Sequence, residues 1–289
     1  MYKNILNIVI SSAVEFKNKI LDKSKLSLLR FNNKINYSTV QKPFISVYIP
    51  TYNRADILIN RSVRSVLKQT YKNFELIIIG DRCSDDTEKK ILSISDHRIK
   101  FFNLQYKKKP YPNTVENHWL CGPIIPANYA LVIAKGDWIA RIDDDEVWLE
   151  DHLEKLLNYA LKYNYEFVTG NVEAVMFDEK KLIKGHKAFS EYFSTKDIKH
   201  DNHNPYIGGT STWFYRSYLK QFKYNKHCWR KKVNRVNDID LSVRFIKAGV
   251  KVGHLDDLVT YQYPRPGEDT VGWKAYDIDR DNKMEHFKS

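Results

Sequence analysis

Four carboxylates stand side by side at Asp143-Asp144-Asp145-Glu146, directly after the run Trp138-Ile139-Ala140-Arg141-Ile142. Adjacent carboxylates repel one another, so a fold accepts them either splayed into water or neutralised by a cation. Hard oxygen donors of this kind suit Mg²⁺ or Mn²⁺, which often bridge one or two carboxylates to phosphate oxygens. A plainer use is also open: acids favour a helix N-terminus, and the amphipathic stretch Glu150 to Tyr163 follows at once. Two further acids hold comparable positions. Asp81 follows the apolar run Phe74 to Ile79, and Asp238 opens a helical pattern from Asn237 to Lys247. Carboxylates just past strand ends lie where open α/β sheets bind ligands. Each also has a structural use, Asp81 as a turn residue and Asp238 as a helix cap.

The elements that must bring these acids together are legible as apolar runs and periodic stretches. Phe44 to Ile49 and Phe74 to Ile79 are short, nearly continuous apolar runs, the pattern of strands buried on both faces of a parallel sheet. Between them, Asp56 to Gln69 has helical periodicity, with Ile57, Val63, Val66 and Leu67 inward and Arg61, Arg64 and Lys68 outward. Asp85 to Ile94 predicts a second helix and Arg98 to Leu104 a third strand, so the chain opens as β-α-β-α-β. Val115 to Ala134 predicts helix, broken near Gly122-Pro123 and Pro126. Asp137 to Ile142 predicts the strand that delivers the acidic cluster. Phe167 to Met176 and Val250 to Leu255 predict two more strands, and Asp178 to Asp201 reads as partly loop. Gly249 closes the Asn237 helix as a C-terminal glycine should. Neither GxGxxG nor GxxxxGK[ST] occurs, which excludes a dinucleotide fingerprint and a P-loop.

Bulk composition narrows the class further. The chain has 289 residues, 43% hydrophobic and 28% charged, which is an ordinary globular composition. Its formal net charge of +12 favours polyanionic partners without choosing among them. Acids clustered at strand ends argue against a nucleic-acid module. Cys83, Cys121 and Cys228 lie far apart with no CxxC, so no zinc site or disulfide framework is expected, and a reducing cytoplasm fits. No apolar run approaches the roughly 20 residues a membrane helix needs, and no signal peptide is read at Met1 to Val14. Residues 1–42 stand apart. Ile5, Val9, Ala13, Phe16 and Ile20 recur at helical spacing, and Lys17, Lys19, Lys23 and Lys25 follow. Three fates are open to this stretch: a helix packed on the main domain, a helix in peripheral contact with an anionic membrane, or a partner-binding arm.

Taken in order, the motifs resemble those of family 2 glycosyltransferases of the GT-A fold. Ile45-Ser46-Val47-Tyr48-Ile49-Pro50-Thr51-Tyr52-Asn53-Arg54 is similar to that family's opening strand and nucleotide-binding turn. Phe74 to Asp81, running on into Arg82-Cys83-Ser84-Asp85-Asp86-Thr87, resembles its second strand, where the family usually shows Asp-Gly-Ser-Thr-Asp-x-Thr. Asp143-Asp144-Asp145-Glu146-Val147-Trp148 resembles its metal-binding Asp-x-Asp with trailing acid and Trp. Asn237-Asp238-Ile239-Asp240-Leu241-Ser242-Val243-Arg244 resembles Glu-Asp-x-x-Leu-x-x-Arg, with Asn237 where the family has Glu. The resemblance covers roughly residues 44–265.

That resemblance implies an α/β fold: a GT-A-type, Rossmann-like, mostly parallel sheet flanked by helices, here with an N-terminal helical extension. It implies a GT-A domain at 43–265, with a nucleotide-binding half at about 43–147, an acceptor-binding half at about 148–265, and a tail at 266–289. The implied reaction is metal-dependent, inverting transfer from a nucleotide-diphosphate sugar to a glycan or lipid-linked acceptor, as in surface polysaccharide synthesis. UDP is the default base. The implied partners are the nucleotide-sugar donor and that acceptor, with no nucleic acid, at the inner face of the membrane. Pro50, Tyr52 and Arg54 would shape the base pocket, although Arg54 also reads as a surface arginine. Asp81 would accept a hydrogen bond from the base. Asp143 and Asp144 would contact the donor, and Asp145, with Asp143, would hold Mn²⁺ or Mg²⁺. Asp238 would be the general base, ionised at neutral pH if its pKa is near the usual ~3.9. Gly208, Gly209, Thr210 and Trp213 would face the acceptor, and Trp229, Trp273 and His254 are outside candidates for the groove and the metal shell. The rival readings are a retaining or nucleotidyl transferase on the same fold, and a sugar-nucleotide-binding subunit without turnover, the latter suggested by Arg82, Cys83 and Asn237.

Overall fold

The computed structural model describes residues 22–33, 42–184, 186–187, 206–231 and 234–271. The readings at Ile5 to Ile20 and at Trp273 lie outside these residues. Helix α1 covers 22–33. Then follow β1 (Ile45–Thr51), a helical stretch α2 (Ala55–Leu67) with a π-turn at Leu58–Val63, β2 (Phe74–Gly80), α3 (Thr87–Leu92) and β3 (Ile99–Asn103). After α4 (Val115–Cys121) and α5 (Ile124–Ile133) come β4 (Trp138–Arg141), β5 (Glu146–Trp148), α6 (His152–Tyr163), β6 (Phe167–Met176) and β7 (Glu179–Ile183). Short strands β8 (His186–Lys187) and β9 (Tyr206–Ile207) pair with each other. The described chain ends with β10 (Phe214–Arg216), α7 (Asn237–Ala248) and β11 (Val252–Gln262).

The main sheet runs β3-β2-β1-β4-β10-β6-β11-β5, with β7 on the side of β6. Strands β3, β2, β1 and β4 are parallel, as their unbroken apolar runs require. Strand β10 is antiparallel to both β4 and β6. Because β2 pairs with one side of β1 and β4 with the other, the chain reverses its direction of travel across the sheet at β1. Such a switch point leaves a crevice beyond the strand ends.

Strand β1 continues one residue past Pro50, where the sequence suggested it would stop. Beside β4 the pairing already ends at Tyr48↔Arg141, so the missing Pro50 N–H faces no ladder partner. Successive residues of each strand point to opposite faces. Tyr48, Ile77, Ile79 and Ile139 meet α4, α5 and α7, while Val47, Ile49, Leu76, Ile78 and Ala140 meet α2 and α6. The helix across Val115 to Ala134 is broken at Gly122-Pro123, as expected. Pro126 does not break it, because it sits in the first turn of α5, where no intrahelical N–H bond is lost.

Candidate active site

At the crevice beyond β1, β2 and β4 lies a cavity of about 870 Å³. It is lined by Pro50, Tyr52, Arg54, Asp81, Asp143, Asp144, Asp145, Gly208, Gly209, Thr210, Trp213 and Asp238, all read as site residues from the sequence; the outside candidates Trp229 and His254 do not line it.

One end is built on the first three strands. Asp81 follows β2 directly, and burial pushes its carboxyl up, opposed by the Tyr106 hydroxyl and by Lys109 and Arg82. Tyr106 donates to Asp81 Oδ1, and Lys109 Nζ lies 3.6 Å from Oδ2. Lys109 also sits over the Tyr52 ring at 5.2 Å and is 3.4 Å from His118 Nδ1. Nothing in the sequence marked Tyr106 or Lys109, which lie in a polar stretch between β3 and α4. Arg82, where the resemblance leads one to expect glycine, has a left-handed φ of 63°, a conformation glycine adopts most easily. Its guanidinium lies 5.2 Å from the Tyr106 ring centre. Cys83 is half-buried and burial raises its thiol pKa, which suits an inert side chain.

The acidic cluster is divided among separate partners. Arg141, 4% exposed, donates to Asp143 Oδ1 from Nε at 3.1 Å and Nη2 at 2.8 Å. Thr210 Oγ1 donates to Asp143 Oδ2 at 2.8 Å, and Asp143 N donates to Ser211 Oγ. Asp144 accepts from Thr51 Oγ1 at 2.7 Å and from Arg54 at 3.0 Å. Asp145 faces Arg54 at 3.3 Å and Arg265 at 3.9 Å. Glu146 is buried, accepts from Gln262 at 2.6 Å, and burial pushes its carboxyl well up. Arg54 thus turns its guanidinium to these carboxylates. Arg61, read as outward, turns inward and donates to the carbonyls of Asp145, Tyr263 and Pro264. The acids do not cap the following helix, because β5 and a turn separate Asp145 from α6.

Among the described residues no three His, Cys, Asp or Glu side chains form a metal cage. The donors nonetheless fit a hard cation that takes the rest of its shell from water and substrate oxygens. Burial, aided by Asp144 and Asp143 and opposed by Arg54 and Arg265, pushes the Asp145 carboxyl up to about 6. A cation beside Asp145 would relieve that cost. His254 is no part of this cluster: its ring nitrogens lie 2.9 Å from Thr169 Oγ1 and 2.8 Å from Asn171 Oδ1, buried between β6 and β11.

The opposite wall carries Asp238 in the first turn of α7. Burial raises its carboxyl and the Arg141 charge pulls it back down. Next to it, Asn237 donates to the Leu120 carbonyl at 3.0 Å, and Asp240 receives buried Lys231 at 3.0 Å, so the turn is tied from two sides. Trp213 lies beneath Gly208, donating to its carbonyl at 3.1 Å, and packs edge-on against Phe167. A Cβ on Gly208 would strike the Gly170 carbonyl at 2.4 Å, whereas one on Gly209 would meet open space. Trp119, Pro123, Val236 and Ile239 give this wall an apolar surface. Trp229 packs against the apolar core instead.

The sequence pattern of glycosyl transferase family 2 matches residues 46–223, well over half of the chain. The chain belongs to glycosyl transferase family 2. Asp238 lies beyond the matched residues. Among relatives, the chain is 38% identical over 131 residues to the Escherichia coli UDP-Glc:alpha-D-GlcNAc-diphosphoundecaprenol beta-1,3-glucosyltransferase WfgD. That match covers 45% of this chain and 46% of WfgD. It is 31% identical over 163 residues to the Campylobacter jejuni GalNAc(5)-diNAcBac-PP-undecaprenol beta-1,3-glucosyltransferase, covering 55% of this chain and 45% of that one. The chain therefore matches about half the length of these relatives. Of solved structures, Staphylococcus aureus TarS 1-349 with UDP-GlcNAc superposes with a TM-score of 0.55 at 17% identity, over 84% of this chain and 66% of that one. Mannosyltransferase PcManGT from Pyrobaculum calidifontis, with GDP-Man and Mn2+, gives 0.56 at 14% identity, over 93% and 72%. These likenesses establish the GT-A fold that the topology had indicated.

Proposed function

We propose that this family 2 chain is a metal-dependent inverting glycosyltransferase. It moves a sugar from a UDP-linked donor to a lipid-linked or glycan acceptor in surface polysaccharide synthesis, at the inner face of a membrane. The observation that carries this reading is the convergence of Asp81, Asp143 to Asp145 and Asp238 on one cavity at the switch point of the sheet. The half through residue 147 takes the nucleotide, and the half from 148 to 265 takes the acceptor. Two relatives are named for glucosyl transfer onto undecaprenol-linked sugars, which supports the acceptor class.

Asp81 takes the base N–H, while Tyr52 and Pro50 form the walls around it. Asp145, with Asp143, holds Mg²⁺ or Mn²⁺, which when bound supplies positive charge beside the diphosphate leaving group. Arg54 and Arg265, already facing Asp145, lie where they add to that charge. On the other side, Asp238 accepts the proton of the acceptor hydroxyl as its oxygen bonds to the anomeric carbon. The sugar–phosphate C–O bond breaks, the nucleoside diphosphate leaves with the electron pair, and one displacement inverts the centre.

The test is transfer from a panel of UDP-, GDP-, CMP- and dTDP-sugars, with and without Mn²⁺, by the native chain, Asp145→Ala and Asp238→Asn. Turnover of one donor, lost on chelation and in both variants, with an inverted product by NMR, is expected. Turnover that survives Asp238→Asn would overturn the assignment of the base. Donor binding without turnover on a diphosphopolyprenyl acceptor would instead make the chain a sugar-nucleotide-binding subunit.

A further inference from the structure

Helix α1 has a docked side and an exposed side. Leu26 is buried at 1% exposure. Asp22 pairs with Arg244 of α7 at 3.0 Å, and Arg30 holds Glu166 and the Gly249 carbonyl. Lys25 donates to the Gln221 carbonyl at 2.8 Å. At 100° per residue those anchors share one half of the helix, and Ser24, Leu28 and Phe31 fall on the other. Leu28 is 60% exposed and Phe31 72%. The sole acid of 22–33, Asp22, is turned inward and paired, so the outward face shows two large apolar side chains beside Ser24 and Ser27 and carries no negative charge.

We propose that this outward face is a membrane-docking surface, with Leu28 and Phe31 entering the interface of a bilayer that carries anionic lipid. Three observations favour a bilayer over another occupant. Lys23 on α1 and Lys223 beside it are exposed, and the whole chain carries +12, so the rim complements an anionic surface. Burial lowers the Lys25 pKa, and Asp22 opposes the charges of Arg244 and Lys223 around it, so three cations share this neighbourhood with one acid. Finally, the helix that carries this face is tied to the helix that carries Asp238. Helix α1 grips α7 at Arg244 and just past its end at Gly249, and Asp238 opens the same helix. At 1.5 Å per residue these grips lie about 9 and 16 Å along the axis from Asp238. In this last respect the inference rests on the transferase reading above.

The experiment is flotation of the full chain with phosphatidylcholine vesicles, with and without phosphatidylglycerol. Native protein is expected to float with the anionic vesicles and to be released by salt. Leu28→Ser with Phe31→Ser should weaken binding roughly a hundredfold, about tenfold per side chain removed from the interface. Lys23→Glu and Lys223→Glu should each weaken it roughly fivefold or more. Thermal unfolding and UDP affinity of these variants should match the native chain, since none touches the core or the cavity. Flotation unchanged by the apolar pair, or absent in the native chain, overturns the proposal. So does a native dimer that Phe31→Ser converts to monomer without affecting flotation, which would give the face to a second copy. Loss of UDP binding with flotation intact would overturn the transferase reading alone.

Discussion

Arg141 is the residue whose removal tests the site most severely. Its guanidinium is buried under the cavity floor and makes two bonds to Asp143 Oδ1 and one to Tyr224 Oη at 2.8 Å. Tyr224 Oη in turn lies 2.9 Å from Tyr48 Oη. Methionine at 141 would keep most of the volume and remove the charge. Breaking a buried pair by deleting one partner costs about 3–5 kcal/mol. Asp143 keeps 30% of its side chain exposed and retains Thr210, so water recovers part of that and about 3 kcal/mol is expected. For a chain of this size that is a fall in Tm of roughly 5 °C. A double-mutant cycle of Arg141→Met with Asp143→Asn should show coupling of about 1.5–3 kcal/mol in urea unfolding. There is a second consequence. Burial already raises Asp238 and Arg141 restrains it, so without Arg141 its pKa climbs further. The acidic limb of the kcat/KM profile should then move to higher pH, with less activity at neutral pH. A loss under ~1 kcal/mol, no coupling and an unmoved limb would together show that Arg141 is a bystander.

Other consequences can be checked more quickly. Gly253→Ala would drive a Cβ to 2.3 Å from the Tyr165 ring, so urea unfolding should show a loss of about 1–3 kcal/mol. Gly209→Ala has open space and should leave stability unchanged, so any drop in turnover would report acceptor contact rather than folding. Lys231→Met leaves buried Asp240 only Arg244 at 3.9 Å and should cost about 3 kcal/mol, with Lys231→Met/Asp240→Leu recovering most of it. Burial holds His152 down to about 3 and His254 to about 4, below the unfolded value near 6.5. The unfolded chain therefore protonates first. Stability is complete above that value and is lost as pH falls toward the folded values. At pH 5 the two residues together should cost about 4 kcal/mol, and His254→Gln should remove about half of that dependence. An unfolding midpoint as high at pH 5 as at pH 7.5 would contradict it.

The strands that carry the site were legible because their environment leaves one solution. β1, β2, β4 and β6 are buried on both faces, so they appear as apolar runs, and their ends appear where charge or proline begins. The antiparallel part was not legible. β5, β7 and β10 are three to five residues long, and β10 finds its place between β4 and β6 only through tertiary pairing. Arg61 follows helical periodicity as an outward residue, yet the 263–264 carbonyls come from some 200 positions away and draw it in. Cys121 and Cys228, unremarkable by spacing, are buried with their sulfurs 3.3 Å apart, both as free thiols. Periodicity reports which face is apolar; it does not report which polar groups a distant loop will offer.

The acidic cluster shows the same boundary and also how the fold resolves it. Four consecutive carboxylates posed a choice between solvent, a helix terminus and a cation. Because β5 begins at Glu146, the helix terminus is out of reach, and alternate side chains leave the backbone in different directions. Asp143 goes down to Arg141 and Thr210, Asp144 across to Thr51 and Arg54, and Glu146 back into the sheet against Gln262. Asp145 has the weakest set, an arginine shared with Asp144 and a second at 3.9 Å. An unevenly satisfied cluster gains most where satisfaction is least. If a cation and a diphosphate bind here, Asp145 is the carboxylate with the most to gain, and Arg54 and Arg265 are the groups best placed to turn from it to phosphate oxygens. Arg265→Ala should therefore raise the donor KM, because its charge serves the phosphates as well as Asp145. A donor KM unchanged by that substitution would mean that Arg265 serves only to brace the 263–268 turn through Glu268.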